Sequence, residues 1–157
     1  MIKYLLFKLA SIVVPWLPYP VAHAVSAFAG ELAYLLAAGP RRAVTSNLRH
    51  ILGSSASPAE TARIARGVFR TQTLNYLDMF RIPKLSPDQI RRAVTVVGIE
   101  HYYEARARGK GIIVATAHYG NMDLLVQASL TVDTQVLVLV EPLEPPALFQ
   151  LVAGLRS

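Results

Sequence analysis

Residues 9–30 contain no Asp, Glu, Lys or Arg, yet Pro15, Pro18 and Pro20 stand in the middle of the run. An unbroken apolar helix of that length would match a bilayer core of roughly 30 Å. Proline removes a backbone donor and clashes with the preceding turn, so the run cannot form one such helix. It predicts two shorter helices, about 2–14 and 20–38, lying in or on a membrane interface rather than crossing it. Lys8 and Glu31 flank the run closely. Trp16 and Tyr19 fall at the break, and amphipathic rings favour the headgroup level. Gly39-Pro40-Arg41-Arg42 closes the second helix. Arg41, Arg42 and Arg49 follow directly. As residue types they suit anionic headgroups and an ordinary solvated helix face equally.

The rest of the composition agrees with a membrane surface. The chain has 157 residues, enough for one domain; 53% are hydrophobic, only 17% are charged, and the net charge is +6. A basic, apolar chain points to anionic membranes or anionic substrates. No arginine- or lysine-rich tract interleaved with aromatics supports nucleic-acid binding. There is no cysteine, which excludes disulfides, thiolate catalysis and thiolate-bound metal. His23, His50, His101 and His118 show no metal-ligand spacing, and no phosphate-loop or dinucleotide fingerprint is present. No cofactor and no metal are expected.

Further along, Ser57-Pro58-Ala59-Glu60 has the form of a capping box with proline at the first helical position. The helix it opens should run to about Phe80, with Ile64, Ala65, Val68, Phe69, Tyr76 and Phe80 on or near one core stripe. Ser86-Pro-Asp88 starts a short helix. Then come a strand at 95–97, a helix at 100–108, a turn at 109–111, a strand at 112–117, a helix at 121–130 and a strand at 134–140. Alternating strands and helices, with the strands apolar throughout, predict an α/β fold: N-terminal apolar helices followed by a helix-flanked, mainly parallel sheet. Ligands gather at the carboxyl ends of the strands in such sheets. His118 and Glu141 fall at two of those ends.

The string Ile112-Ile-Val-Ala-Thr-Ala-His-Tyr-Gly-Asn-Met-Asp123 carries the chemistry. Gly120-Asn121 is a turn signal, and Asn121 can cap the helix after it, with Asp123 in the first turn. The turn lets His118 and Asp123 converge although they are five residues apart. An imidazole with one nitrogen held by a carboxylate is suited to general-base work. The competing reading is an acid complementing a helix dipole beside a satisfied histidine.

From Gly109 to Asp123 the sequence resembles the signature of the bacterial lipid A biosynthesis late acyltransferases, a family that includes the mycobacterial phosphatidylinositol mannoside acyltransferases. Arg41-Arg42 with Asn47-Leu48, and Val97-Gly-Ile-Glu100, are similar to further elements of that family. Glu141-Pro-Leu-Glu-Pro-Pro-Ala-Leu-Phe149 followed by Arg156 resembles the mannoside branch. The resemblance implies a glycerolipid-acyltransferase-like fold, truncated here to its N-terminal half. Residues 1–40 would form a membrane-associated helical segment, and 41–157 the first part of the α/β acyltransferase domain.

The implied function is transfer of a fatty acyl chain from an acyl thioester to a hydroxyl of a membrane glycolipid or phospholipid. The thioester, on coenzyme A or acyl carrier protein, is a donor substrate and not a cofactor. His118 and Asp123 would be the catalytic pair, acting directly on the acceptor without an acyl-enzyme. Gly120 and Asn121 would offer backbone N–H groups to the oxyanion. Glu141 would bind acceptor hydroxyls and Arg156 an anionic headgroup or donor phosphate. Both donors are cytosolic, so the active site would face the cytoplasm from a peripheral or monotopic position on the inner membrane. Two other functions compete: a catalytically incomplete, membrane-peripheral module, and a hydrolase in which His118 activates water.

Overall fold

The structure is a computed structural model that describes residues 2–53, 55–117, 119–132 and 136–156. The first apolar helix, α1 (Ile2–Val13), passes into a 3-10 turn at Val14–Trp16 and stops there. Helix α2 (Tyr19–Leu36) begins with Pro20 inside its first turn, where a missing N–H costs nothing. Leu17 N closes the 3-10 turn by donating to Val14 O at 3.1 Å, and Arg81 adds a tie across the break. Its Nη1 donates to Leu17 O at 2.5 Å and to Val14 O at 3.3 Å. The sequence-predicted break between two helices is therefore present, and a cation from far along the chain closes it.

Helix α3 (Ala38–Leu52) leaves α2 at a bend of 93°. Gly39 and Pro40 sit in its first turn, so they mark a corner between helices rather than an end. Arg41 seals that corner, donating at 2.8 Å to the carbonyls of both Tyr34 and Leu35. Helix α4 (Pro58–Arg81) is the longest, and Ser57 caps it by accepting from Glu60 N at 3.1 Å. Four short helices follow: α5 (Pro87–Ala93), α6 (Ile99–Ala107), α7 (Met122–Leu130) and α8 (Pro146–Arg156). Ser86 and Gln89 form a complete reciprocal capping box at α5.

Helices α2 and α4 run antiparallel in close contact. Ala22, Ser26 and Gly30 recur every four residues along α2 and are buried against α4. At Gly30 the two backbones touch: a Cβ there would stand 2.6 Å from Arg70 Cα and 2.9 Å from Arg70 N. Helix α1 covers the other end of α4. Phe7 meets Phe80 and Tyr76 edge-on, with centroids 5.6 and 5.9 Å apart. Met79, Phe80, Leu148 and Val152 form the core, joined by Phe7, Ala10, Val14 and Leu155. Along α4, Ala65 and Phe80 are buried as the apolar stripe requires, but Val68 and Tyr76 are exposed.

The expected parallel sheet is not present. Among the described residues all regular structure is helical, and no strand pairs with another. Residues 95–97, 112–117 and 136–140 are non-helical and exposed, with Ile113, Leu137 and Leu139 above 90%. Part of the last expected strand, residues 134 and 135, lies outside the described residues. Along 136–140 exposure still alternates with period two, as in an extended chain. An apolar β-branched run encodes a preference for burial and an extended backbone, but it does not supply a neighbour. The elements near these segments are helices whose own backbone groups are already bonded. Helix α8 supplies core residues Leu148 and Val152 from a stretch where no helix was expected.

The α2–α4 contact yields a paired test. Gly30→Ala must push two backbones apart and should destabilise the chain by about 1–3 kcal/mol. Gly67→Ala meets nothing within 4 Å in the middle of α4, so it should be neutral or gain up to about 1 kcal/mol. Chemical denaturation in mild detergent compares the two. Equal effects would mean that α2 and α4 do not touch at Gly30.

Candidate active site

Helix α7 is held at its start by the side chains of α4. Asn121 is its cap: Oδ1 accepts from Leu124 N at 3.0 Å. The other end of the same amide, Nδ2, donates to Asp78 Oδ2 at 2.9 Å. Asn75, one turn earlier on α4, reaches Gly120 O at 3.4 Å. Gly120 has φ 82°, in the left-handed region that favours glycine, so the turn needs a glycine there. The Gly120-Asn121 turn is thus fixed to α4 at two points by residues more than forty positions earlier.

Asp123 lies in the first turn of α7, as expected. Its carboxylate is mostly buried, with 17% of the side chain exposed. Arg156, in the last turn of α8, grips it in a fork: Nε to Oδ1 at 2.5 Å and Nη2 to Oδ2 at 3.4 Å. Gln127 of α7 braces the arginine by donating to Arg156 O at 3.2 Å. Two sequence-selected residues thirty-three positions apart therefore meet directly.

The remaining candidates are distributed differently. His118 lies outside the described residues, so its distance to Asp123 is not part of the structure described. Covalently it precedes Tyr119 and Gly120, and so leads into the turn that Asn75 and Asp78 hold. Gly120 is exposed and Asn121 half-buried. Glu141 is exposed on a non-helical segment and makes no ion pair among the described residues. No three metal-binding side chains come together among the described residues.

Asp78 and Asn75, which hold the turn, are the residues of the candidate site that the sequence reading missed. Burial raises the Asp78 carboxyl above the ordinary 3.8, against the opposing effects of the Arg81 guanidinium, the Asn121 hydrogen bond and His23. A signal was available. Asn75 and Asp78, three apart and so on one helical face, interrupt the apolar stretch from Leu74 to Phe80.

The model of the bacterial lipid A biosynthesis acyltransferase family matches residues 2–157. The chain belongs to that family. No curated protein and no solved structure matches it. Membership supports acyltransferase chemistry in the broad sense, with an acyl donor and a lipid substrate.

Asp78 also provides a pH test. Because its folded-state value is raised, its stabilising contribution is complete below pH 3.8 and is lost as pH rises through the raised value. Acidification across that window should stabilise the native chain more than Asp78→Asn, which cannot titrate and still offers Asn121 an amide oxygen. Urea unfolding at neutral pH and near pH 4 measures the difference. Identical pH slopes would show that Asp78 is not the buried group.

Proposed function

We propose that this chain transfers a fatty acyl group from a thioester, on coenzyme A or acyl carrier protein, to a hydroxyl of a membrane glycolipid or phospholipid. The observation that carries the proposal is the Asp123 cluster within a chain of this family: a half-buried turn, an ordered carboxylate and His118 two residues before Gly120. His118 takes the proton of the acceptor hydroxyl as its oxygen attacks the thioester carbonyl. The tetrahedral oxyanion is stabilised by N–H groups at the start of α7, near Gly120 and Asn121. Collapse breaks the C–S bond, and the departing thiolate receives the proton from the imidazolium. Asp123 orients the ring and stabilises its charged form. Arg156 fixes the carboxylate of Asp123 in direction, and Glu141 binds acceptor hydroxyls. The Glu141 to Phe149 string favours phosphatidylinositol-mannoside-like acceptors.

On this reading the protein sits on the inner membrane, facing the cytoplasm. The support is the inverted surface of its first two helices. Val21, Val25, Phe28, Leu32 and Leu35 lie within a narrow stripe of α2, opposite the buried Ala22, Ser26 and Gly30, and all five are exposed. Leu5, Leu6, Leu9, Ile12 and Val13 form a similar exposed stripe on α1, with Trp16 beyond it fourth-fifths exposed at 80%. Small residues inside and large apolar residues outside suit a helix whose outer solvent is lipid. Among the described residues no single helix is long and apolar enough to cross a membrane; α2 and α3 pass that test only as a bent pair.

Two experiments test these readings. His118→Ala and Asp123→Asn should each lower acyl transfer by on the order of 10²–10⁴ while leaving the helical content unchanged. The assay uses acyl-coenzyme A and acyl carrier protein donors over a panel of phospho-glycolipid acceptors. More than about a tenth of the native rate in either variant would sink the pair, since a positioned base contributes far more than that. Fatty acid released in place of acylated lipid would identify a hydrolase. Separately, membrane-bound chain should resist salt and yield to detergent, because apolar burial is not screened. Phe28→Glu should weaken partition roughly tenfold or more, from the loss of a buried side chain.

A further inference from the structure

We propose that the open notch between α3 and α4 seats the phosphate of an anionic phospholipid headgroup. The proposal rests on the membrane-surface reading, but not on the catalytic one. The notch has a volume of about 500 Å³ and is lined by Arg41, Arg42 and Arg49 together with Tyr34, Thr45 and Ser46. It continues past Ala62 into a second hollow of about 400 Å³ lined by Arg63, Arg66 and Arg70. From residue 32 to residue 77 the sequence has six arginines and one carboxylate, Glu60. Such a concentration of like charge opposes folding unless an anion relieves it.

The six arginines divide into two groups. Three already have partners. Arg41 and Arg66 stand over the Tyr34 ring, 5.5 and 5.2 Å from its centroid, and Arg70 pairs with Glu31 at 2.7 Å. These build the walls. The other three, Arg42, Arg49 and Arg63, have no carboxylate partner among the described residues. Guanidinium forks with hydroxyls beside them match a phosphate, which offers acceptors only. The location favours a lipid as its source. The apolar stripe of α2 ends at Leu35 and Leu36, and Arg41 bonds to the carbonyls of Tyr34 and Leu35 at that same end. A helix with its stripe among acyl chains therefore brings the notch to the headgroup layer.

The test is flotation of the full chain with phosphatidylcholine vesicles, with and without phosphatidylinositol. The native chain should bind both and prefer the anionic ones. Arg42→Gln/Arg49→Gln/Arg63→Gln should lose on the order of a hundredfold on anionic vesicles and nothing on neutral ones, at roughly fivefold per basic residue. Arg49→Gln alone should show a proportionate part of the loss, which guards against misfolding of the triple variant. A charge-matched control, Arg92→Gln/Arg108→Gln/Lys110→Gln, should lose much less. An equal loss in that control overturns the notch in favour of diffuse attraction, and so does a native chain indifferent to phosphatidylinositol. Displacement from anionic vesicles by inorganic phosphate or free coenzyme A would make the source soluble and overturn the lipid assignment. Failure to bind either vesicle would overturn the membrane-surface reading along with it.

Discussion

The structure depends on how closely α2 approaches α4. Gly30 lies against the backbone of Arg70, and no side chain larger than hydrogen fits between them. That contact commits the Ala22, Ser26, Gly30 face of α2 to the interior. Once the small residues are inside, the large apolar residues of α2 must face outward, because they occupy the opposite side of the same helix. The exposed stripe is therefore a geometric consequence of the packing. The same antiparallel register brings Tyr34 beside Phe69 and Arg66, and Arg81 beside Leu17 and Tyr19. One seam thus sets both the outer surface and the proline-broken corner.

Helix α4 is the common support for everything else. Its middle carries Arg63, Arg66 and Arg70, which line the hollow continuing the α3–α4 notch. Its last two turns carry Asn75 and Asp78, which hold the Gly120-Asn121 turn. The exposed apolar surface of α2 and the candidate catalytic turn are therefore linked through one element. A membrane enzyme needs such a relation, because its acceptor reaches it only at a fixed depth and positioning contributes several kcal/mol to lowering a barrier. Asp78 is a cost within that arrangement. A carboxylate is desolvated to anchor a neutral amide, and Arg81 and His23 offset part of the penalty.

The Asp123 and Arg156 pair shows how a site can be half legible. Each residue was selected on its own, Asp123 for its place after the turn and Arg156 for its place in a family-like string. Sequence reasoning gave Arg156 an anionic ligand and did not foresee its contact with Asp123. Helical periodicity links positions three and four apart. A distance of thirty-three residues depends on how α7 and α8 pack, and no local pattern encodes that.

The sequence by itself determined the helices of the N-terminal region and the place where they break. Three prolines within an uncharged run forbid one long helix, and Ser57, Ser86 and Asn121 cap helices through local bonds to nearby backbone. It also determined the family, whose model matches residues 2–157. Only the tertiary structure decided what the apolar runs at 112–117 and 136–140 do. A strand is completed by a partner's hydrogen bonds, which composition cannot supply, so these runs stay unpaired among the described residues. Likewise only the tertiary structure recruited Asp78 and Asn75 to the turn and gathered six arginines around two adjoining hollows. Local elements follow from bonds within a few residues; sheets, ion pairs and sites follow from which elements meet.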